Sequence, residues 1–398
     1  MPHVPKSLSA HRTRAVNRAR VLWHLSAGAT TRRELAERAQ LSASAITSVV
    51  SELAGEGIVA EGDRTGERRV GRPTTRVSLV PHSRAVVGVH VGHRAVRGVL
   101  CDLAGDVMAT RDIGLAAGEG PESAIAACIE ATRGLMADAG GVPVLGAGIG
   151  APGRADAEHR RTVVALKRGW RDVGFADAVE SALGIPAIVD RGVNAMALAE
   201  YRFGRERGTD GLVFVYADAG LAAGLIVDGE QYKGSGHGVS GFGHLPVPGA
   251  AEPCACGGRG WLETVASRPR LDRGADRWIA ENFPSAGVGA GLQGLCELVR
   301  SGRSDGGPVL ARLMDALSVA LVSVVNLLDP SVIIVGGYLE EEADVLLPRL
   351  VDAVRGRVLP LLSESLRIQT STFGVECGPV GAAALALDAF FYTPISSG

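Results

Sequence analysis

The chain has no long uninterrupted apolar run, no secretory core and no disulfide framework, and each absence removes a class of protein. Its opening, MPHVPKSLSAHRTRAV, holds no hydrophobic stretch of the secretory kind. Its longest apolar run, Ala316 to Leu328, is interrupted by Ser318, Ser323 and Asn326 and falls short of the ~20 residues that span a bilayer. No membrane partner is expected, and the expected location is the cytoplasm. Six cysteines at irregular spacing in 398 residues read as reduced thiols or metal ligands. The 54 glycines fall at turns between Val-, Ile-, Leu- and Ala-rich runs without a low-complexity repeat, so an ordered globular chain is expected.

What is present is an uneven distribution of charge. Residues 1–84 carry 14 Lys and Arg against 7 Asp and Glu, and the remainder carries 27 against 36. The formal net charge of −2 thus hides a basic head on an acidic body. At 46% hydrophobic, the chain can bury at least two cores beyond a small head.

In the head, Val16 to Leu25 reads as a first helix closed by Ser26-Ala27-Gly28. Thr31 and Glu34 have capping-box spacing, and Leu35, Ala36 and Ala39 form the inner face of a second helix. After a turn at Gln40-Leu41-Ser42, the segment to Gly55 has two faces. Ile46, Val49, Val50 and Leu53 form one, and Ser44, Thr47, Ser48 and Ser51 the other, each at helical spacing. A stripe of small hydroxyls without bulky acids suits a helix that enters a major groove. Two β-like stretches follow, around a tip holding Arg64, Arg68, Arg69 and Arg72. The proline after Arg72 favours an extended backbone there, a shape suited to a narrow minor groove. This is the outline of a winged helix-turn-helix, and double-stranded DNA is the expected partner.

From Arg84 the pattern alternates strand and helix. Three strands in hairpin order precede a helix from Pro121 to about Ala139 and the strand VPVLGAGIGAPG, and a second round begins at LVFVYADAGLAAGLIVDGEQYKG. Two such rounds predict an α/β body of the duplicated actin-like ATPase (ribonuclease H-like) kind, with two lobes. The expected division is residues 1–80 as the winged helix-turn-helix and 84–198 as the first lobe, with a C-terminal helix at 379–392 packing back on it. Residues 199–378 are the second lobe, carrying a zinc-motif remnant and a dimerisation surface.

GFGHLPV followed by CACGGRGWLE, together with VDRGVNAMALAEYRFG, GIGAPGRAD, DPSVIIVGGYL and GPVGAAALAL, occur in an order and spacing that resembles the ROK family of sugar kinases and sugar-responsive repressors. With a winged helix-turn-helix in front, the chain is similar to the xylose and N-acetylglucosamine repressor branch. The resemblance also shows what has changed. Where the kinases have an Asp-x-Gly-Gly-Thr phosphate loop, this chain has His90, Val91, Gly92, His93 and Arg94. Where they have Asn-Asp-x-Asn, whose aspartate is the general base, it has Arg191, Gly192, Val193 and Asn194. Glycine cannot accept a proton. The second phosphate loop reads Asp218-Ala219-Gly220-Leu221-Ala222, which puts a carboxylate where phosphate should lie. No catalytic residue and no bound ATP are expected.

The resemblance implies a sugar pocket in which two acids have become Gly192 and Gly241 while His244, Glu263 and the Pro152-Gly153 turn remain, with Asp156 close behind. Gly153, His244 and Glu263 are therefore the candidate effector-binding residues, for a sugar or sugar derivative. It also implies a His-Cys-Cys-Cys zinc knot. His244, Cys254 and Cys256 match three ligands, Trp261 stands at the fourth, and zinc is expected only at low occupancy. Cys101, Cys128, Cys296 and Cys377 read as core thiols. The expectation is a one-component, ligand-responsive DNA-binding regulator, a homodimer or tetramer on a palindromic operator. An active sugar kinase with an accessory DNA module and an effector-independent regulator are the alternatives.

Overall fold

The computed structural model describes residues 10–62, 75–116, 118–234, 241–284 and 291–392. The first helix, α1 (Ala10–Ser26), begins six residues earlier than the apolar spacing suggests. A two-residue strand, β1 (Thr30–Thr31), leads into α2 (Arg32–Ala39). The Thr31 hydroxyl accepts from the Glu34 N–H at 3.2 Å, and the Glu34 carboxylate accepts from the Thr31 N–H at 2.8 Å. These two bonds form the capping box. The Thr31 amide, followed by the Thr30 and Thr31 hydroxyls, pulls the Glu34 carboxyl down to about 2. Gln40 takes a left-handed conformation (φ 53°), and Ser42 caps α3 (Ala43–Gly55). Strands β2 (Val59–Gly62) and β3 (Arg76–Leu79) pair antiparallel, and β1 joins them in the order β1-β3-β2, one strand more than expected.

The body opens with an antiparallel meander, β4 (Ala85–Val91), β5 (Ala95–Asp102) and β6 (Val107–Gly114). Helix α4 (Pro121–Asp138) crosses over to β7 (Val144–Ala151), which pairs parallel with β4. A small sheet of β8 (Arg154–Ala155), β9 (Thr162–Ala165) and β10 (Trp170–Val173) stands apart from it. Helix α5 (Phe175–Leu183), strand β11 (Ala187–Arg191) and helix α6 (Gly192–Phe203) complete the first lobe.

The second lobe repeats the plan with β12 (Gly211–Ala217), β13 (Leu221–Val227) and β14 (Glu230–Gln231). Helices α7 (Leu262–Ala266), α8 (Arg268–Asn282), α9 (Gly291–Arg300) and α10 (Gly307–Leu328) precede β15 (Val332–Gly337). Helices α11 (Tyr338–Glu341), α12 (Ala343–Arg355) and α13 (Pro360–Ser365), strand β16 (Ile368–Thr370) and helix α14 (Cys377–Leu387) follow. The two five-stranded sheets run β6-β5-β4-β7-β11 and β14-β13-β12-β15-β16. In each, three antiparallel strands are extended by two parallel ones, which is the duplication the sequence pattern predicts.

Helix α14 lies directly on the first sheet because that face is partly glycine. A Cβ on Gly148 would fall 1.9 Å from the Ala382 carbonyl oxygen, and one on Gly88 would fall 2.1 Å from that of Pro379. The helix starts at Cys377 and ends in a π turn over Asp388–Tyr392 that reaches the head. A division at 198/199 falls inside α6, which packs against both α14 and the second sheet. The stretches Gly307–Leu328 and Gly374–Tyr392 are each long and apolar enough to cross a membrane, contrary to the count made on Ala316–Leu328. Half of the first and 67% of the second are buried within the fold.

Candidate functional site

Burial divides α3 as its spacing predicts. Ile46, Val49, Val50 and Leu53 are buried, while Ser44, Thr47, Ser48 and Ser51 are exposed. The Thr47 hydroxyl donates back to the Ala43 carbonyl at 2.9 Å, and the Ser44 and Ser42 hydroxyls lie 3.1 Å apart. Arg64, Arg68, Arg69 and Arg72 lie outside the described residues. Much of the remaining positive charge of the head is spent on internal bracing. Arg14 and Arg18 pair with Glu52, Arg18 also pairs with Glu56, and Arg32 and Arg33 pair with Glu61 and Glu37. Arg20 and Arg38 are exposed and form no ion pair among the described residues.

Between the lobes of the body is a cleft of ≈ 940 Å³, whose lining includes His90, His93, Arg94, Asp218 and Arg268. His90, near the end of β4, is enclosed by glycines. A Cβ on Gly192 would lie 2.7 Å from its Cε1, one on Gly378 2.6 Å from its Cγ, and one on Gly150 3.1 Å from its Nδ1. Burial, followed by the charge of Arg97, lowers the imidazole to about 4, so it is neutral at pH 7. The His90 ring therefore fills the space a side chain at 192 would need. Asp218 corrects the sequence reading in a different way. Its carboxylate accepts from Arg268 Nε at 2.7 Å, and Arg268 also pairs with Glu341. The 218–222 loop therefore carries a compensated ion pair instead of a bare negative charge.

His244, Cys254 and Glu263 do come together. Cys254 Sγ donates to Glu263 Oε1 at 3.1 Å and lies 3.7 Å from His244 Nε2, which is 3.8 Å from Glu263. Glu263 is buried in the first turn of α7, and its other oxygen, Oε2, pairs with Lys167 Nζ at 3.0 Å. Lys167 comes from the turn between β9 and β10 in the first lobe and also donates to the Ala219 carbonyl at 2.8 Å, so it ties the two lobes together. Gly153 is in a left-handed conformation (φ 91°), and a Cβ there would meet the Val164 carbonyl oxygen at 2.2 Å. Asp156 is a turn-capping residue outside this cluster, with Oδ1 accepting from the N–H groups of Arg160 and Arg161 at 2.7 and 3.0 Å.

The donor atoms of His244, Cys254 and Cys256 lie within 4.8 Å of one another. Burial, with the Glu263 bond acting in the same direction, pushes the Cys254 thiol up to about 11, whereas the Gly258 amide and then the Cys254 side chain lower that of Cys256. The Trp261 ring stands edge-on to His244 at 6.1 Å. A closed tetrahedral zinc site takes four donors, and these three do not complete one. The other four cysteines are buried and unpaired. Neither Lys167 nor Arg191 was given a site role from the sequence, because Lys167 reaches Glu263 from a residue 96 positions away and no motif marks either cation.

The family model described as ROK family matches residues 86–389. The xylose repressor of Bacillus subtilis (strain 168) is 25% identical over 370 residues, 90% of this chain and 91% of that protein. The DNA-binding transcriptional dual regulator NagC of Escherichia coli (strain K12) is 24% identical over 376 residues, covering 90% and 88%. Among solved structures, a ROK family transcriptional regulator described as a homologue of E. coli Mlc superposes with a TM-score of 0.82 at 23% identity, covering 96% of this chain and 98% of that one. A ROK family glucokinase from Streptomyces griseus, in complex with glucose and AMPPNP, superposes with a TM-score of 0.67 at 26% identity over 76% of this chain and 99% of its own.

Proposed function

The chain belongs to the ROK family, and from that premise we propose that it is a DNA-binding transcriptional regulator, most simply a repressor of carbohydrate-related genes. Its kinase-like body senses a ligand without phosphorylating it. The observation that carries the reading is α3, whose hydroxyl stripe of Ser44, Thr47, Ser48 and Ser51 is exposed while its opposite face is fully used by the head's core. Hydroxyls at helical spacing can bond to base edges or phosphates, and Arg68, Arg69 and Arg72 add positive charge to the same stretch of sequence. Two copies related by a two-fold axis would set two such helices on a palindromic operator. The repressor and regulator names of the relatives favour the same role.

The absence of kinase activity rests on His90, which closes over Gly192, and on Asp218, which is paired with Arg268. The likeness to the glucokinase makes this worth testing directly. Gly153, His244 and Glu263 are the proposed effector contacts. Zinc at the three-donor remnant is at most partial. A gel-shift titration of the full chain on DNA upstream of its own coding region, over a salt series, tests DNA binding. Saturable binding with a competitor-resistant fraction is expected, and affinity equal to that for random duplex would overturn the assignment.

A further inference from the structure

The motif that holds His244, Cys254 and Cys256 implies zinc, but Trp261 does not fit as the fourth ligand. Its indole nitrogen is a donor only, and it lies against the cysteine turn, since a Cβ on Gly258 would fall 2.5 Å from it. The carboxylate of Glu263 instead accepts the Cys254 S–H at 3.1 Å. With no closed set of four donors, the two thiols are open to chemistry of their own. They also differ from Cys101, Cys128, Cys296 and Cys377, all of which are buried.

Cys254 and Cys256 share one tight turn. The Gly257 N–H donates to the Cys254 carbonyl at 3.0 Å and the Cys254 N–H to the Gly258 carbonyl at 2.9 Å, while Pro253 bridges Arg259 across the base. The turn brings the two sulfurs within 4.8 Å of each other. The Cys256 N–H donates to Cys254 Sγ at 3.5 Å and the Gly258 N–H to Cys256 Sγ at 3.4 Å. Cys256 is exposed, whereas Cys254 is half-buried with its sulfur against Glu263 and, at 3.7 Å, against His244. An accessible thiol with a second, sheltered thiol in reach is the arrangement of an oxidant-sensing pair, in which the first is oxidised and the second resolves it.

We propose that Cys254 and Cys256 are a redox modification site, converted by hydroperoxides into a disulfide within the turn. The Cys256 sulfur attacks the terminal oxygen of the hydroperoxide ROOH, the O–O bond breaks, and ROH leaves with the thiol proton, so that Cys256 becomes a sulfenic acid. Cys254 Sγ then attacks Cys256 Sγ. The S–S bond forms as the S–O bond breaks, and the hydroxide departs as water with the Cys254 proton, for which Glu263 Oε1 is the adjacent acceptor. Across both steps the thiols lose two electrons and two protons, and ROOH is reduced to ROH and water. The disulfide also takes the S–H away from Glu263, the residue that Lys167 reaches from the first lobe at 3.0 Å, so oxidation is felt where the two lobes are tied.

The test is treatment of the full chain, reduced and with its zinc content measured, with hydrogen peroxide, followed by alkylation and peptide mapping without reductant. A Cys254–Cys256 disulfide that dithiothreitol reverses is expected, with Cys101, Cys128, Cys296 and Cys377 still alkylated after unfolding. In Cys254→Ser, dimedone should trap a sulfenic acid on Cys256, and in Cys256→Ser oxidation at the turn should be lost. The thermal midpoint should differ between the reduced and oxidised native chain and stay the same in Cys256→Ser. Equal midpoints for the native chain would overturn the link to Glu263. Cys256 running on to sulfinic acid while Cys254 stays a thiol, disulfides between chains in place of this one, or thiols kept unreactive by a full complement of zinc would each overturn the redox pair itself.

Discussion

The guanidinium of Arg202 lies 3.5 Å from the ring centroid of Trp23, joining the end of α6 in the body to α1 in the head. Trp23 also meets Tyr392 edge-on at 6.2 Å and Tyr201 at 6.4 Å. Arg202 pairs with Asp388, whose carboxyl is pushed up to about 6 by burial against the opposing pull of that arginine. Arg207 donates to the carbonyl of Ser26, the last residue of α1. Helix α6 therefore begins beside His90 and ends on the head, so one helix touches both the inter-lobe cleft and the head.

Removing that contact should loosen the head. A partly desolvated cation–π pair is worth up to about 2 kcal/mol, so Trp23→Ala should split calorimetric unfolding into an earlier transition for the head and a later one for the body. One unchanged cooperative transition would show that the clamp does not hold the units together.

His90 and Gly192 should behave as a coupled pair. Gly192→Asp should give no sugar-dependent ATP hydrolysis and should cost about 1–3 kcal/mol by overpacking the imidazole. In a double-mutant cycle with His90→Ala, the two changes should be non-additive by at least 0.5 kcal/mol, as expected for residues in contact. Additive effects, or turnover near ~1 s⁻¹ in Gly192→Asp, would contradict the packing argument.

Acid should protonate the His90 imidazole. His90 is lowered to about 4 in the folded protein from an ordinary 6.5, so between those values the unfolded chain binds a proton that the folded chain does not. Stability should therefore fall as pH drops from about 6.5, with a loss that levels off below about 4 and totals on the order of 3 kcal/mol. Urea midpoints of the native chain and His90→Asn, measured across this window, should converge as pH falls. Parallel curves would mean that His90 is not held neutral by the fold.

Much of the architecture was legible because its signals are local and periodic. The split of α3 into Ile46, Val49, Val50 and Leu53 against Ser44, Thr47, Ser48 and Ser51 needs only helical spacing, and the Thr31–Glu34 cap needs only a three-residue offset. Two rounds of strand-rich segments carried the duplicated sheets. What escaped depends on pairs distant in sequence. Arg268 sits 50 residues from the Asp218 it neutralises, and Lys167 comes from the other lobe to reach Glu263. The early start of α1 escaped for a related reason, since its first turns precede the buried residues that mark the periodicity. Which cations of the head brace it internally was also illegible, because pairs such as Arg18 with Glu56 join distant residues, although the net charge excess is unchanged by them.

Completing the metal remnant should be a matter of one residue. Trp261→Cys places a thiol where the indole now stands, beside His244, Cys254 and Cys256, and should raise zinc content measured by elemental analysis from well under one per chain toward one. Full zinc occupancy in the unmodified protein would mean that another group supplies the fourth ligand.

The central claim is that a kinase-like body here carries a sequence-reading head, and selection of binding sites from a random duplex pool by the full chain tests it most directly. Enrichment of a palindrome with half-sites one helical turn, about 10 base pairs, or a multiple apart is expected. Thr47→Ala should change the preferred base at one position of each half-site, a contact worth ~1–3 kcal/mol, and Arg72→Ala should weaken binding across all sequences and reduce the salt slope by about one. A pool that never enriches, or one whose enriched sequence and affinity are unchanged by both substitutions, would contradict it.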